Sequence, residues 1–227
     1  MGSDVRADII LKQPGRALSM HSNKPYTLVT LALATDFIQP TDLHLPPGSC
    51  LGLHGNSGSG KTLLLRAIAD LDINTGEVLL ESIPRSRFTG PQWRHKVGLL
   101  PAESQWWGDS VGEHALHWSS ELLSALGFPE DVLDWQTGRL SSGEKQRLAL
   151  VRMLANQPRV LLLDEPTANL DDSNTTTVEQ IIHGYLQQHQ AAAIWVSHDP
   201  AQLGRVAGNR AVMTQGRFTM EGSGTWS

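Results

Sequence analysis

The run Gly55-Asn56-Ser57-Gly58-Ser59-Gly60-Lys61-Thr62 fits G-x-x-x-x-G-K-[ST], the spacing of a phosphate-binding loop. Residues 49–54 before it read as a short buried strand. Residues 63–70 after it are apolar and helix-forming. Glycines let the backbone close around an anion without Cβ clashes, and the N–H groups of the loop and the new helix then point at phosphate oxygens. Lys61 is placed to reach the β- and γ-phosphates, and the Thr62 hydroxyl to ligate Mg²⁺. Residues 55–62, with Leu63 behind them, are therefore the candidate nucleotide-binding residues. By average residue usage a chance match arises in roughly one unrelated chain of this length in a hundred, and the flanking strand and helix lower that further.

The 227 residues suffice for one large domain, and 40% hydrophobic with 18% charged residues can build a sizeable core. A net charge of −5 and a pI of about 6.0 argue against nucleic acid as the main partner. The single cysteine, Cys50, rules out an internal disulfide framework and suits a reducing cytosol. No apolar leader opens the chain, and no apolar run is long enough to span a membrane.

Along the chain, an early strand is expected at residues 9–11, then β-rich stretches at 26–34 and 42–45, before the turn Pro46-Pro47-Gly48. Further strands are expected at 77–80, 97–100, 160–163 and 193–197, a helix at 178–188, and a closing hairpin around Gln215-Gly216. Residues 104–139 differ in texture and read as a helical insertion, with helical pieces at 111–118 and 121–126. Five of the seven tryptophans lie between positions 93 and 135. They suit either a small aromatic core or a protein interface.

Two more segments carry chemistry. The continuous apolar strand at 160–163 ends in Asp164-Glu165. Asp164 is placed to hold Mg²⁺ and Glu165 to orient or deprotonate an attacking water. Ser141 and Glu144 form the capping box S-x-x-E at the head of an amphipathic helix, whose Ser-Ser-Gly start can present N–H groups and hydroxyls to a phosphate.

With these residues the chain resembles the ATP-binding-cassette (ABC) ATPases. Leu140 to Arg147 is similar to their signature motif, Val160 to Glu165 to their second acidic motif, Ala168-Asn169-Leu170-Asp171 to their D-loop, and His198 to their switch histidine. The elements occur in the family's order. The resemblance implies an α/β P-loop fold, with a mostly parallel core sheet, an N-terminal antiparallel β subdomain and a helical insertion, all in one nucleotide-binding domain over residues 1–227. It implies that ATP is sandwiched between two head-to-tail subunits. Ser141 and Gly143 would contact the γ-phosphate held by the other subunit's Lys61. Glu165 would be the general base, His198 a γ-phosphate sensor and Asp171 a cross-dimer contact. It further implies a transmembrane permease partner, docked on residues 104–139, and a peripheral place on the cytoplasmic face of the cell membrane. The runs around 143–147, 160–165, 170–174 and 195–199 resemble the FetA/YbbL type, small ATPases linked to iron export.

The chain departs from the family pattern in three places. Where the family ends a strand with Gln, Ala102 stands, with Glu103 and Gln105 as candidate substitutes. Ser142 replaces a usual Gly. The expected adenine-stacking aromatic falls near residues 32–34, between Tyr26 and Phe37. His114 and His117, at i, i+3, are a weak metal pair without a third ligand in sequence. Rival readings are a soluble ABC ATPase outside transport, which usually carries coiled-coil or tandem-cassette features missing from this sequence, and an ATP sensor disabled at Ala102.

Overall fold

Two hydrophobic periodicities build two sheets, described in a computed structural model over residues 26–222. The strand expected at 9–11 lies outside the described residues. β1 (Leu28–Ala34) buries Leu28, Thr30 and Leu33, so its inward alternation slips by one residue. A bulge between Thr30 and Leu33 absorbs the slip. β2 (Thr41–Leu45) alternates cleanly, with Leu43 and Leu45 inward. β3 (Cys50–His54) is buried up to its last residue, His54, and leads through the glycine-rich loop into α1 (Lys61–Ile68). β4 (Thr75–Leu80) and the two-residue β5 (Ile83–Pro84) complete an antiparallel sheet of order β2-β1-β4-β5. Gly76, at φ +84°, lets β4 pass the β1 bulge, because a Cβ there would lie 2.3 Å from the Ala32 carbonyl oxygen.

The second sheet begins with β3, and its remaining strands follow a helix that the sequence pattern does not show. α2 (Gly90–Lys96) is opened by a Thr89–Gln92 capping box and by Pro91 in its first turn. Then come β6 (Val97–Leu100), the insertion with α3 (Ser120–Ala125), α4 (Ser142–Leu154), β7 (Val160–Asp164), α5 (Asp172–His189) and β8 (Ala192–Val196). α6 (Pro200–Val206), capped by Asp199, likewise shows no clear apolar period in the sequence. The hairpin β9 (Asn209–Thr214) and β10 (Arg217–Met220) closes the chain as expected. The order is β10-β9-β3-β8-β7-β6, parallel except for β10. β7 and β8 are buried along their whole length, as strands covered on both faces must be.

One core packs α1 between the two sheets. The other packs α4, α5 and the insertion against the opposite face of the parallel sheet. The insertion holds less helix than expected. It contains α3 and three 3₁₀ turns, at Val111–His114, Glu130–Asp134 and Thr137–Arg139. The helix expected over 111–118 stops at His114, whose ring is committed to backbone groups, and Ala115 is extended. The tryptophans divide: Trp93 is fully buried, Trp106, Trp118 and Trp135 pack against the second core, and Trp107 is 73% exposed.

Candidate nucleotide site

Open α/β sheets gather function beyond the carboxyl ends of their parallel strands. Here β3 delivers the glycine-rich loop, β7 delivers Asp164 and Glu165, and β8 delivers Ser197 and His198. The loop is braced from behind by the β9–β10 hairpin. Gly216 N–H donates to the Ser59 carbonyl at 2.9 Å, and a Cβ on Gly55 would lie 2.3 Å from the Met213 carbonyl oxygen. Asn56, Ser57, Gly58, Thr62 and Leu63 are exposed, while Ser59, Gly60 and Lys61 are buried. The Lys61 ammonium, on a residue only 7% exposed, donates to the carbonyls of Gly55 (2.8 Å) and Asn56 (3.1 Å). Burial pushes its pKa down, and the nearby Glu165 and Asp164 push it back up.

The loop and β7 meet at one bond: Thr62 Oγ1 donates to Asp164 Oδ2 at 2.6 Å. Asp164 is 5% exposed at the strand's end. Glu165 turns off the sheet with φ +50°, a left-handed conformation that costs about 1–3 kcal/mol for a residue with a side chain. Its amide donates to the Val196 carbonyl at 3.2 Å, which holds the turn, and its Oε1 lies 2.7 Å from His198 Nε2. Thus Lys61, Thr62, Asp164, Glu165 and His198, far apart in sequence, converge on one edge.

Ser141, Gly143 and Asp171 converge elsewhere. Ser141 caps α4: its Oγ accepts from Glu144 N–H at 3.2 Å, while Glu144 Oε2 accepts from Ser141 N–H (2.8 Å) and Oγ–H (2.7 Å). These bonds, the hydroxyl's first, hold the Glu144 carboxyl below the usual carboxylate range. A Cβ on Gly143 would lie 2.9 Å from the Asn169 carbonyl oxygen, so the helix start crosses the 168–171 loop at close range. Asp171 caps α5 through Asn174 N–H at 2.8 Å, and Asn174 accepts from Arg147 of α4 at 3.1 Å. Among the described residues, no hydrogen bond or ion pair joins this group to the phosphate loop.

The model of the ABC transporter family matches residues 38–168. This chain belongs to that family. It is 33% identical over 194 residues to the aliphatic sulfonates import ATP-binding protein SsuB 2 of Pseudomonas fluorescens, covering 81% of this chain and 70% of that one. It is also 33% identical over 162 residues to the probable iron export ATP-binding protein FetA of Escherichia coli, covering 66% and 72%. Its fold is similar to that of the dimeric ATP-binding cassette MJ0796 bound to ADP and phosphate, with a TM-score of 0.73, 21% identity, and 88% of this chain and all of that one covered. The chain is an ABC ATPase, the ATP-binding and hydrolysing subunit that energises a transporter.

This ABC ATPase's departures from the family pattern each have a definite setting in the fold. The loop after β6 that holds Ala102 is pinned by Gln146, a residue the sequence did not single out. Gln146 Nε2 donates to the Pro101 carbonyl at 3.0 Å, and its Oε1 accepts from Ser104 Oγ at 2.8 Å. Glu103 and Gln105 are exposed. Of the two aromatic candidates, Tyr26 packs at a tilt against His44, with ring centroids 5.0 Å apart and planes 59° from parallel. Phe37 instead flanks the loop, its ring 3.1 Å from where a Cβ on Gly60 would sit. Ser142 is exposed beside the cap. His114 is taken up structurally: Nε2 accepts from the amides of Trp107 and Gly108, both at 2.9 Å, and Nδ1 donates to the Ser110 carbonyl at 2.9 Å. Neither ring nitrogen is left for a metal.

Proposed function

We propose that Mg-ATP binds at the loop, with residues 55–63 cradling the phosphates and Lys61 exchanging its carbonyl partners for β- and γ-phosphate oxygens. The Thr62 hydroxyl and the Asp164 carboxylate, 2.6 Å apart, form a pair of hard oxygen donors that fits Mg²⁺, and these two residues would hold it. When bound, the ion supplies charge neutralisation across the phosphates. Glu165 orients and deprotonates the attacking water. His198, held at 2.7 Å from Glu165, fixes that carboxylate and reports on the γ-phosphate. Phe37 is the aromatic placed for the adenine.

The split between the two residue groups carries the rest of the reading. Among the described residues, Ser141, Gly143 and Asp171 make no bond to their own chain's phosphate loop, and Ser141 and Ser142 are exposed beside the half-buried Gly143. A second, head-to-tail copy would bring its own Ser141 and Gly143 to the γ-phosphate on Lys61, with Asp171 at the seam. Residues 104–139 face a transmembrane permease, which places the chain peripherally on the cytoplasmic side of the cell membrane. SsuB is named for sulfonate import and FetA for iron export, at the same identity to this chain.

The test is ATP turnover with Mg²⁺ across protein concentration. Turnover should rise more steeply than linearly, and Glu165→Gln should abolish it while nucleotide binding persists. Linear turnover from a species that sizes as a monomer would overturn the two-copy site.

A further inference from the structure

α6 starts just after His198 and sends one buried polar side chain back toward the turn that follows Glu165. Gln202 is 5% exposed. Its Nε2 donates to Thr167 Oγ1 at 2.8 Å and to Glu179 Oε1 of α5 at 2.9 Å, so both amide hydrogens are used. Thr167 is buried as well. Backbone bonds knit it into its turn: Ala168 N–H donates to the Glu165 carbonyl at 3.2 Å, and Leu170 N–H to the Thr167 carbonyl at 3.1 Å. Arg205, further along α6, forks onto the same Glu179, with Nε 3.1 Å from Oε2 and Nη2 2.8 Å from Oε1. α6 is therefore fastened twice to α5. Its hold on the 165–170 turn is single: among the described residues, Gln202 to Thr167 is the one hydrogen bond between them.

The start of α6 fixes His198. Asp199 caps the helix by accepting from Ala201 N–H at 2.8 Å, and its own N–H donates to Ser197 Oγ at 3.1 Å. His198 thus moves with α6, while Glu165 moves with the turn that contains Thr167. The two side chains meet at 2.7 Å. Glu165 holds a left-handed φ of +50°, a conformation that persists only where its surroundings over-determine it. The Val196 carbonyl, His198 and, through Thr167, Gln202 supply that restraint.

We infer that Gln202 is a positioning residue for hydrolysis: by bonding Thr167 it locks the turn that carries Glu165 against the helix that follows His198. The inference rests on the reading of Glu165 as the base and adds the residue that keeps this base in place. Gln202 acts through Thr167, and among the described residues it makes no bond to the phosphate loop. Its loss should slow the chemistry and leave ATP affinity as it is. The amide itself is required, because a carboxylate at 202 has no hydrogen to donate and would lie against the Glu179 carboxylate.

The test is steady-state ATP turnover with Mg²⁺ by the full chain, with kcat and KM separated, for Gln202→Leu, Gln202→Glu, Thr167→Val and Thr167→Ser, beside Glu165→Gln. The first three should each lower kcat at least about tenfold while KM for ATP stays within about twofold. Thr167→Ser keeps the hydroxyl acceptor and should stay within about twofold of wild type. Gln202→Leu combined with Thr167→Val should lose no more than either change alone, as expected for two ends of one bond. Unchanged kcat, a loss carried by KM, equal losses for Thr167→Val and Thr167→Ser, or multiplied losses in the double variant would each overturn the positioning role. Glu165→Gln separates that failure from failure of the base reading: turnover abolished there keeps the base, and turnover surviving there sinks both. Should a Gln202 variant not fold, Thr167→Val against Thr167→Ser decides alone.

Discussion

The phosphate-loop edge and the 104–139 insertion are held together by opposite means. At the edge, backbone regularity positions everything: strand ends present Asp164 and Glu165, a helix start presents Lys61 and Thr62, and single bonds such as Thr62 to Asp164 at 2.6 Å join them. The insertion has little regular backbone, and side chains substitute for it. His114 serves the amides of Trp107 and Gly108 and the carbonyls of Ser110 and Val111, Thr137 Oγ1 donates to the Gly108 carbonyl at 2.7 Å, and Arg152 packs on two indole rings. The edge even stores strain, at Glu165 with φ +50°. A residue at the edge should therefore matter to chemistry more than to stability, and one in the insertion the reverse.

The largest effect tests the first half of that contrast. Glu165→Gln keeps the shape and removes the proposed base, so turnover should fall about 10²–10⁴-fold. The melting temperature should stay within about 4 °C, the shift expected from 1 kcal/mol in a chain of this size. A large loss of stability with the loss of turnover would break the contrast. Gly143→Ala comes next, because it lies where α4 crosses the 168–171 loop. A Cβ at 2.9 Å from the Asn169 carbonyl must push one element away, at about 1–3 kcal/mol in urea unfolding. Turnover should fall as well if the displaced edge is, as proposed, the one a second copy presents to the nucleotide. Unchanged turnover in a destabilised Gly143→Ala protein would remove this edge from the site.

His114→Leu tests the other half. It strands the Trp107 and Gly108 amides and the Ser110 carbonyl, for about 1–3 kcal/mol of stability. Basal turnover of the isolated chain should stay within about twofold. If turnover drops while urea stability holds, the insertion carries chemistry that its bonding does not suggest.

The same contrast explains what was legible in the sequence. Where position follows from backbone periodicity or a cap, reading succeeded: the 55–62 loop, the strand ending in Asp164, the Ser141–Glu144 box and the hairpin at Gln215-Gly216 all stand where expected. α2 and α6 were within reach, since Thr89, Pro91 and Gln92, and Asp199 with Pro200, are ordinary helix starts. Short length and few apolar positions hid them. Where position follows from side-chain contact across the chain, reading failed. Residues 111–118 carry a helical spacing, yet His114 binds Trp107 and Gly108 and stops the turn. Gln146 reads as one polar residue on an amphipathic helix, and only the fold shows it bonded to Pro101 and Ser104. Tyr26 and Phe37 are equivalent as letters, and the close approach of Phe37 to Gly60 separates them.

The smallest effect probes a cap that belongs to both stability and site. Ser141→Ala removes the acceptor for Glu144 N–H and the hydroxyl donor to its carboxylate, for about 1 kcal/mol. The loss should depend on pH with a definite sign. Glu144 is depressed in the folded chain, first by the Ser141 hydroxyl and then by the Ser141 amide. A depressed carboxyl contributes stability above its unfolded value and loses it as pH falls through the folded value. The difference between wild type and Ser141→Ala in urea unfolding should therefore be full at neutral pH and shrink as the pH drops below the ordinary carboxylate range. A pH-independent difference would assign the cap's contribution to the Glu144 amide bond alone.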